Sequence, residues 1–170
     1  MTLHPSEYDP YYKNYIEKAA GVSILEGLKM NLSGLTAFYS SIPDKKLEYR
    51  YAPEKWTIKD ILLHVTDAER VFAYRALRIG RSDTIPLSGF DQNTFVMYAN
   101  ANDRSIESLL EEYRSVRLST ISLFESFSED DMMLIGVASN ADVSVRALGY
   151  IIIGHENHHS HIIKERYLDK

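Results

Sequence analysis

Residues 144–159 read Ser144-Val145-Arg146-Ala147-Leu148-Gly149-Tyr150-Ile151-Ile152-Ile153-Gly154-His155-Glu156-Asn157-His158-His159, and this stretch decides the fold. Leu148, Ile152, His155, His159 and then Ile162 recur every three or four positions, which is one face of an α-helix and not the alternation of a strand. Ser144 is a good N-cap residue, so the helix is expected to begin just after it and to run nearly to the C-terminus. His155 and His159 stand at i and i+4 on that face, as a pair of metal ligands would. The apolar run Ala147–Ile153 is far too short to span a bilayer.

Three further amphipathic segments lie upstream. The first runs from about Ser23 to Ser41, with Ile24, Leu25, Leu28, Leu32, Leu35 and Phe38 at helical spacing, and Pro43-Asp44 ends it. The second begins at Thr57, an N-cap with Asp60 three positions on, and continues through Ile61, His64, Val65, Ala68, Phe72 and Leu77 to a stop at Gly80. The third is expected from near Asp103 to about Phe127, carrying Ile106, Leu109, Leu110, Tyr113, Val116, Leu118, Ile121 and Phe124. No strand alternation competes with these segments. The 22 residues Arg81–Asn102 between the second and third contain Pro86, Gly89 and the cluster Phe90-Asp91-Gln92-Asn93. Connections of that length in a compact domain are often functional, and this one reads as a lid or pocket wall, or else as an ordinary packed connection.

The expected fold is therefore all-α, a four-helix bundle with one long crossover between helices 2 and 3. The 170 residues fit one domain, 1–170, with the Tyr-rich segment 1–22 as an arm or short helix packed on the bundle. A formal net charge of −5 and no run of Lys or Arg argue against nucleic acid as a partner. The absence of Cys removes disulfides, thiolate ligands and a cysteine nucleophile. Residues Met1 to Pro10 are polar and lack the form of a signal peptide, so a soluble cytoplasmic protein with no membrane partner is the expectation. Pairing of an outer bundle face with a second copy, as a homodimer, is compatible with the sequence.

His64 lies on the inward stripe Ile61, His64, Ala68, Val71. A lone histidine there is ordinarily a satisfied core residue. With His155 and His159 also facing inward, three imidazoles would be buried, each costing on the order of 1–3 kcal/mol if left without a partner. One divalent cation bonded to all three removes that penalty. His158 and His161 fall on other faces and read as surface or flanking residues, and His4 in the arm carries no signal. His155-Glu156-x-x-His159 also spells the metalloprotease motif in which the glutamate is general base. Its extended form fails, since Ile162 and Glu165 occupy the glycine and third-ligand positions, and only 11 residues follow His159. Glu156 stays a candidate base, although it points about 100° round the helix from His155.

The stretch Tyr51-Ala52-Pro53-Glu54-Lys55-Trp56-Thr57-Ile58-Lys59-Asp60 followed by His64 has company in Ala68 to Arg78, in Val145-Arg146-Ala147-Leu148, in Gly154-His155-Glu156 with His158-His159, and in Glu165-Arg166-Tyr167-Leu168. Together they resemble the DinB-like (YfiT-like) superfamily of metal-binding four-helix-bundle proteins, over most of the chain. The resemblance implies up-down-down-up helix order and a divalent metal, commonly nickel or zinc, held by three histidines that match His64, His155 and His159. Many relatives carry glutamine where Ile162 stands here. The activities it implies are several: thiol transfer with bacillithiol or mycothiol, maleylpyruvate isomerisation, and metal-dependent hydrolysis.

The expected function is accordingly a metal-dependent enzyme acting on a small molecule, as a thiol S-transferase using a low-molecular-weight thiol or as a hydrolase. The alternative is a non-catalytic metal-binding stress or sensing module. Asp60 and Asp67 stand at i−4 and i+3 from His64, where either would orient its second ring nitrogen, unless Asp60 only caps the helix. Arg70, Arg75 and Arg78 would grip an anionic substrate or pair with Glu69 and Asp67, and Trp56 is expected to anchor the second helix in the core.

Overall fold

The computed structural model describes residues 3–168. An arm of two single turns, Pro5–Glu7 and Pro10–Tyr12, leads into α1 (Lys13–Lys18). Then come α2 (Ile24–Ser40), the short α3 (Asp44–Leu47) and α4 (Ile58–Gly80). The crossover carries α5 (Gln92–Ala99) and delivers the chain to α6 (Ile106–Glu125). After α7 (Glu129–Met133), a hairpin of β1 (Ile135–Ala138) and β2 (Ala141–Ser144) feeds α8 (Val145–Ile163), which ends in a wide turn, Lys164–Leu168.

The helix starts follow from capping chemistry. Thr57 and Asp60 form a reciprocal box: the Asp60 amide donates to Thr57 Oγ1 at 3.0 Å, and the Thr57 amide donates to Asp60 Oδ2 at 2.9 Å. Ser144 Oγ accepts from the Ala147 amide at 3.0 Å and so opens α8. α6 starts later than its apolar pattern suggests, because Ser105 and not Asp103 supplies the cap, to the Ser108 amide at 3.2 Å. Asp103 instead closes a separate turn, Ala101–Asp103.

Side-chain partners give the helix directions. Glu69 and Arg70 of α4 meet Arg117 and Glu112 of α6, and Lys59 lower on α4 meets the Asn102 carbonyl just before α6, so these two helices run parallel. Arg117 of α6 reaches the Leu28 carbonyl of α2, and Glu125 further along reaches Lys29, while Tyr113 lies nearer Asn31, so α2 and α6 are antiparallel. Ile24 of α2 faces Gly149 of α8 and Asn31 faces Asn157, so those two are parallel. His64 near the start of α4 meets His155 well along α8, making that pair antiparallel. The order is up-down-down-up. A parallel α4–α6 pair cannot be joined by a tight turn, which explains the long crossover.

Two parts of the connections differ from the sequence expectation. The crossover contains a short helix that no apolar pattern signalled: Asp91 caps α5 through the Asn93 amide at 2.9 Å, and α5 packs on α4. The hairpin was not expected at all. Its two-residue turn places Ser139 and Asn140 at φ 54° and 65°, the primed geometry that suits the twist of antiparallel strands. Leu87 of the crossover pairs with it, donating to the Val137 carbonyl at 2.8 Å and accepting from Ser139 at 2.9 Å. The strands are four residues each and half exposed, too short for a period-two pattern to show.

The apolar core falls into two clusters. One gathers Leu28, Phe72, Ile121, Phe124, Leu148 and Ile152, and the other gathers Leu35, Tyr39, Leu62, Leu109, Tyr113 and Ile163. Between them lies a polar layer centred on Arg117, which is fully buried. Its Nε and Nη2 donate to Glu69 at 2.8 and 2.9 Å, Nη2 also meets Glu156, and Nη1 donates to the Leu28 carbonyl at 3.2 Å. One guanidinium thus ties all four long helices together. Arg117→Ala would leave two buried carboxylates without their cation and is expected to cost about 3–5 kcal/mol. Removing the exposed Lys29–Glu125 pair by Lys29→Ala should cost less than about 1 kcal/mol. Urea unfolding of both variants checks the contrast.

Candidate metal centre

His64 is placed by the second turn of α4, and His155 and His159 by adjacent turns of α8. Antiparallel packing of the two helices brings the three rings together. His155 Nε2 lies 3.1 Å from His64 Nε2 and 3.1 Å from His159 Nε2, and one nitrogen from each ring falls within 4.8 Å of the others. For ligands about 2.0–2.1 Å from a tetrahedral zinc, neighbouring nitrogens stand roughly 3.3 Å apart, so this spacing suits a single divalent ion. His64 and His155 are buried and His159 is partly so.

Burial also sets the protonation state. It pulls His64 down to about 4, and it pulls His155 and His159 well below the ordinary imidazole value, with the neighbouring imidazoles adding to the effect. All three are therefore neutral near pH 7, the form that binds metal. No carboxylate joins the group among the described residues.

Aromatic rings enclose the cluster. Trp56 is half-buried and packs against the apolar cluster at the start of α4, the anchoring position expected, and its ring also lies 4.7 Å from that of His64 and 6.3 Å from that of His159, where it shields the imidazoles. Tyr15 of α1 stands edge-on to His155 at 5.2 Å and to His158 at 5.3 Å. That approach needs Gly154: a Cβ there would sit 1.7 Å from the Tyr15 carbonyl oxygen, so any side chain would push the arm off α8. In sequence the arm's tyrosines signalled only a packed segment.

A chamber of about 330 Å³ opens against His64 and His155, walled by Tyr12, Tyr15, Phe72, Phe90 and Asn93. The crossover residues Phe90, Asp91 and Asn93 do line it, as a pocket wall would. Burial raises the Tyr12 and Tyr15 hydroxyls above their usual range, so both stay protonated and act as donors.

Other candidate residues are placed elsewhere. Glu156 does not reach the imidazoles. It is buried in the polar layer, bonded to Arg117 and accepting from Tyr113 Oη at 3.1 and 3.2 Å, so a general-base role at the chamber has no geometric support. Neither aspartate bonds His64: Asp60 caps α4 and accepts from Asn102 at 2.9 Å, and Asp67 pairs with Arg70 at 2.9 Å. Glu69 pairs with Arg117 and not with the arginines of its own helix. His161 is exposed beside Glu165. Ile162 is partly buried and, being apolar, supplies no donor where relatives were expected to carry glutamine.

The fold and site define a class: an up-down-down-up helical bundle with three neutral imidazoles converging at its waist. The chain belongs to the DinB superfamily, whose family model matches residues 28–163. Among solved structures it is similar to YfiT from Bacillus subtilis, with a TM-score of 0.73 at 13% identity, covering 97% of this chain and 90% of that one. YfiT is described as a probable metal-dependent hydrolase with an unusual four-helix bundle topology. No curated protein matches the sequence. Among the described residues, no helix is long and apolar enough to cross a membrane.

The depressed imidazoles have a consequence for the metal-free protein. Unfolded histidines take up protons near pH 6.5, whereas the folded ones do not until much lower pH. Stability should thus fall as pH drops through 6.5, by about 1.4 kcal/mol per pH unit for each of the two buried rings. Urea unfolding in chelator from pH 7.5 to 5.0 tests this, and His64→Leu should flatten the slope by about one proton. A flat profile for the unsubstituted protein would refute it.

Proposed function

We propose that this chain is a metal-dependent enzyme in which His64, His155 and His159 hold one divalent ion, nickel or zinc, beside a chamber that admits a small-molecule substrate. The observation that carries the reading is the convergence of three neutral imidazoles, two of which, His64 and His155, also line an open cavity. Three protein ligands leave coordination positions for a reactant, as catalytic sites do. When bound, such an ion acts as a Lewis acid and lowers the pKa of a water or thiol that reaches it.

The residues of the chain narrow the chemistry. Tyr12 and Tyr15 donate hydrogen bonds but do not accept protons near pH 7. Glu156 is spent on Arg117, and the Asp91 oxygens accept from the Asn93 amide and the Thr94 hydroxyl. The chamber therefore offers orientation without a free general base. That favours a nucleophile that sheds its proton readily, and a low-molecular-weight thiol meets this better than water does. Thiol transfer to an electrophile is the leading reading. Hydrolysis is the second, supported by the description of YfiT.

Elemental analysis of the purified protein should find about one divalent ion per chain, and His64→Ala or His159→Ala should abolish it. The loaded protein is then assayed with low-molecular-weight thiols plus an aryl halide, and with simple esters and amides. Thiol-dependent turnover that chelation lowers at least about 100-fold is the expected result. Turnover surviving chelation would overturn the catalytic assignment, and ester cleavage alone would select hydrolysis. Silence in every assay of the metal-loaded protein would favour a non-catalytic metal-binding module.

A further inference from the structure

Four aromatic rings from separate parts of the chain close a circuit on the wall of the chamber. Tyr12 of the arm stands edge-to-face with Phe72 of α4, ring centres 6.1 Å apart and planes at 85°. Phe72 stands at 83° to His155 of α8, again at 6.1 Å. His155 meets Tyr15 of α1 at 5.2 Å and 82°, and Tyr15 returns to Tyr12 at 6.3 Å. All four rings line the chamber, and only Tyr12 and Tyr15 are close in sequence. Tyr11, edge-on to Tyr12 at 5.1 Å, and Phe90 of the crossover add two more rings to the lining. Tyr11 is 64% exposed and Asn93 is exposed too, so the lining reaches solvent on their side and a ligand has a way in.

The same wall carries almost no charge. Among the described residues no Lys or Arg lines it. The arginines that the sequence offered for an anionic substrate are committed elsewhere. Arg70 pairs with Asp67 and Glu112, and Arg78 pairs with Asp83. Arg75 is 2% exposed, and its Nη2 donates to the Ser88 carbonyl at 2.9 Å and to Ser139 Oγ at 2.8 Å. It braces the crossover and the hairpin tip, with its Cζ 5.9 Å from each of the Phe72 and Phe90 rings. Asp91, the one acidic group in the lining, already accepts from the Asn93 amide and the Thr94 hydroxyl. An anion entering here would shed water without meeting a cationic side chain, and would face that carboxylate. A cation would face the ion held by the histidines and the Arg75 charge beside the phenylalanines. An uncharged ring meets neither penalty.

We propose that the chamber selects a neutral aryl compound, whose ring is held by Tyr12, Phe72, Tyr15 and His155 while its substituents react at the three histidines. This rests on the reading of the chamber as the substrate site. Walls standing near right angles offer an inserted ring one face to stack on and others to meet edge-on. Each such contact adds about two- to tenfold in affinity beyond the area it covers. A volume of about 330 Å³ lies at the small end of ligand cavities, which suits a single ring with its substituents. His155 belongs both to this circuit and to the imidazole cluster, so a ring held here is carried to the metal centre. Tyr12, Tyr15 and Phe72 are specificity-determining residues: they hold the ring and take no part in bond changes.

The test compares four ligands of similar size, benzamide, benzoate, benzamidinium and cyclohexanecarboxamide, by calorimetry, with chelated and with zinc-loaded protein. In chelated protein benzamide should bind at least about fivefold more tightly than either cyclohexanecarboxamide or benzoate. In zinc-loaded protein it should bind at least about fivefold more tightly than benzamidinium. Tyr12→Leu and Tyr15→Leu keep apolar bulk but remove a ring, and each should lower the preference for benzamide over its saturated analogue by at least about twofold. Tyr98→Leu, on the exposed side of α5, should keep it. A readout in the unsubstituted protein covers the case that the arm variants fail to fold: the ring protons of bound benzamide should show nuclear Overhauser contacts to the rings of Tyr12, Phe72 and Tyr15. Equal affinity for benzamide and cyclohexanecarboxamide, a preference unchanged in both Leu variants, or absence of those contacts would each overturn the proposal. Tighter binding of benzoate to chelated protein, or of benzamidinium to zinc-loaded protein, would overturn the assignment to an uncharged ring. Metal stoichiometry and thiol-dependent turnover report on the metal-dependent reaction, and the ring preference in chelated protein reports on the chamber, so either reading can fail without the other.

Discussion

Everything in this bundle is arranged around one guanidinium. Arg117 is fully buried, and its N–H groups reach Glu69 on α4, Glu156 on α8 and a carbonyl on α2. Two apolar clusters sit above and below it, so the layer is a constraint on register more than a source of net stability. A buried ion pair rarely outperforms well-packed hydrocarbon, but a helix that slides or rotates past this one strands a charge away from water. Each of the four helices is thereby fixed in rotation at the same height. Tyr113 reinforces the arrangement by donating to Glu156, whose carboxyl is pushed up by burial against the pull of Arg117.

The imidazole cluster inherits its geometry from that layer. Glu156 and His155 are consecutive on α8, so they project about 100° apart around the helix axis. With Glu156 held by Arg117 inside the bundle, His155 is turned toward α4 and the chamber. On α4, Glu69 lies five residues after His64 and is locked to the same arginine, which sets the rotation of the helix that presents His64. The glutamate of the His-Glu-x-x-His spelling is thus structural here: it orients the helix, while in a protease the same position serves the chemistry. The motif and the metal-ligand pair are one sequence with two physical uses, and Arg117 on α6 distinguishes them.

Much of this was legible in the chain and some was not. Helix starts at Thr57 and Ser144 were readable because capping is local chemistry between residues three apart. The convergence of His64, His155 and His159 was inferable from inward stripes, since each stripe needs only helical periodicity. The partner of Glu156 was not inferable, because Arg117 is 39 residues away and, on a different helix, looks in sequence like any solvated arginine. For the same reason the local pairing open to Glu69, with arginines of its own helix, gives way to the tertiary contact with Arg117, while Asp67 does pair locally with Arg70. The hairpin escaped because its strands are short and its turn is Ser139-Asn140, without the glycine that usually marks such turns. The core packing of Trp56 was legible, but its contact with His64 was not, because the direction of a ring one residue before the α4 cap is set by tertiary packing.

The division of labour between frame and attachments explains why the reaction is harder to read than the site. The long helices supply the imidazoles, and their placement follows from packing that any similar bundle shares. The walls of the chamber come from segments outside that frame: Tyr12 and Tyr15 from the arm, Phe90 and Asn93 from the crossover, Ser139 from the hairpin tip. Asn93 also borders a second cavity of about 640 Å³ on the far side, lined by Trp56, Asp60, Met97 and Asn102. The start of α5 therefore stands between the two spaces, and its position is set by the Asp91 cap and by the pairing of Leu87 with the hairpin. A change in crossover or hairpin would reshape what the chamber accepts and leave the imidazoles where they are. The shape of the chamber belongs to those attachments, and family membership leaves it open.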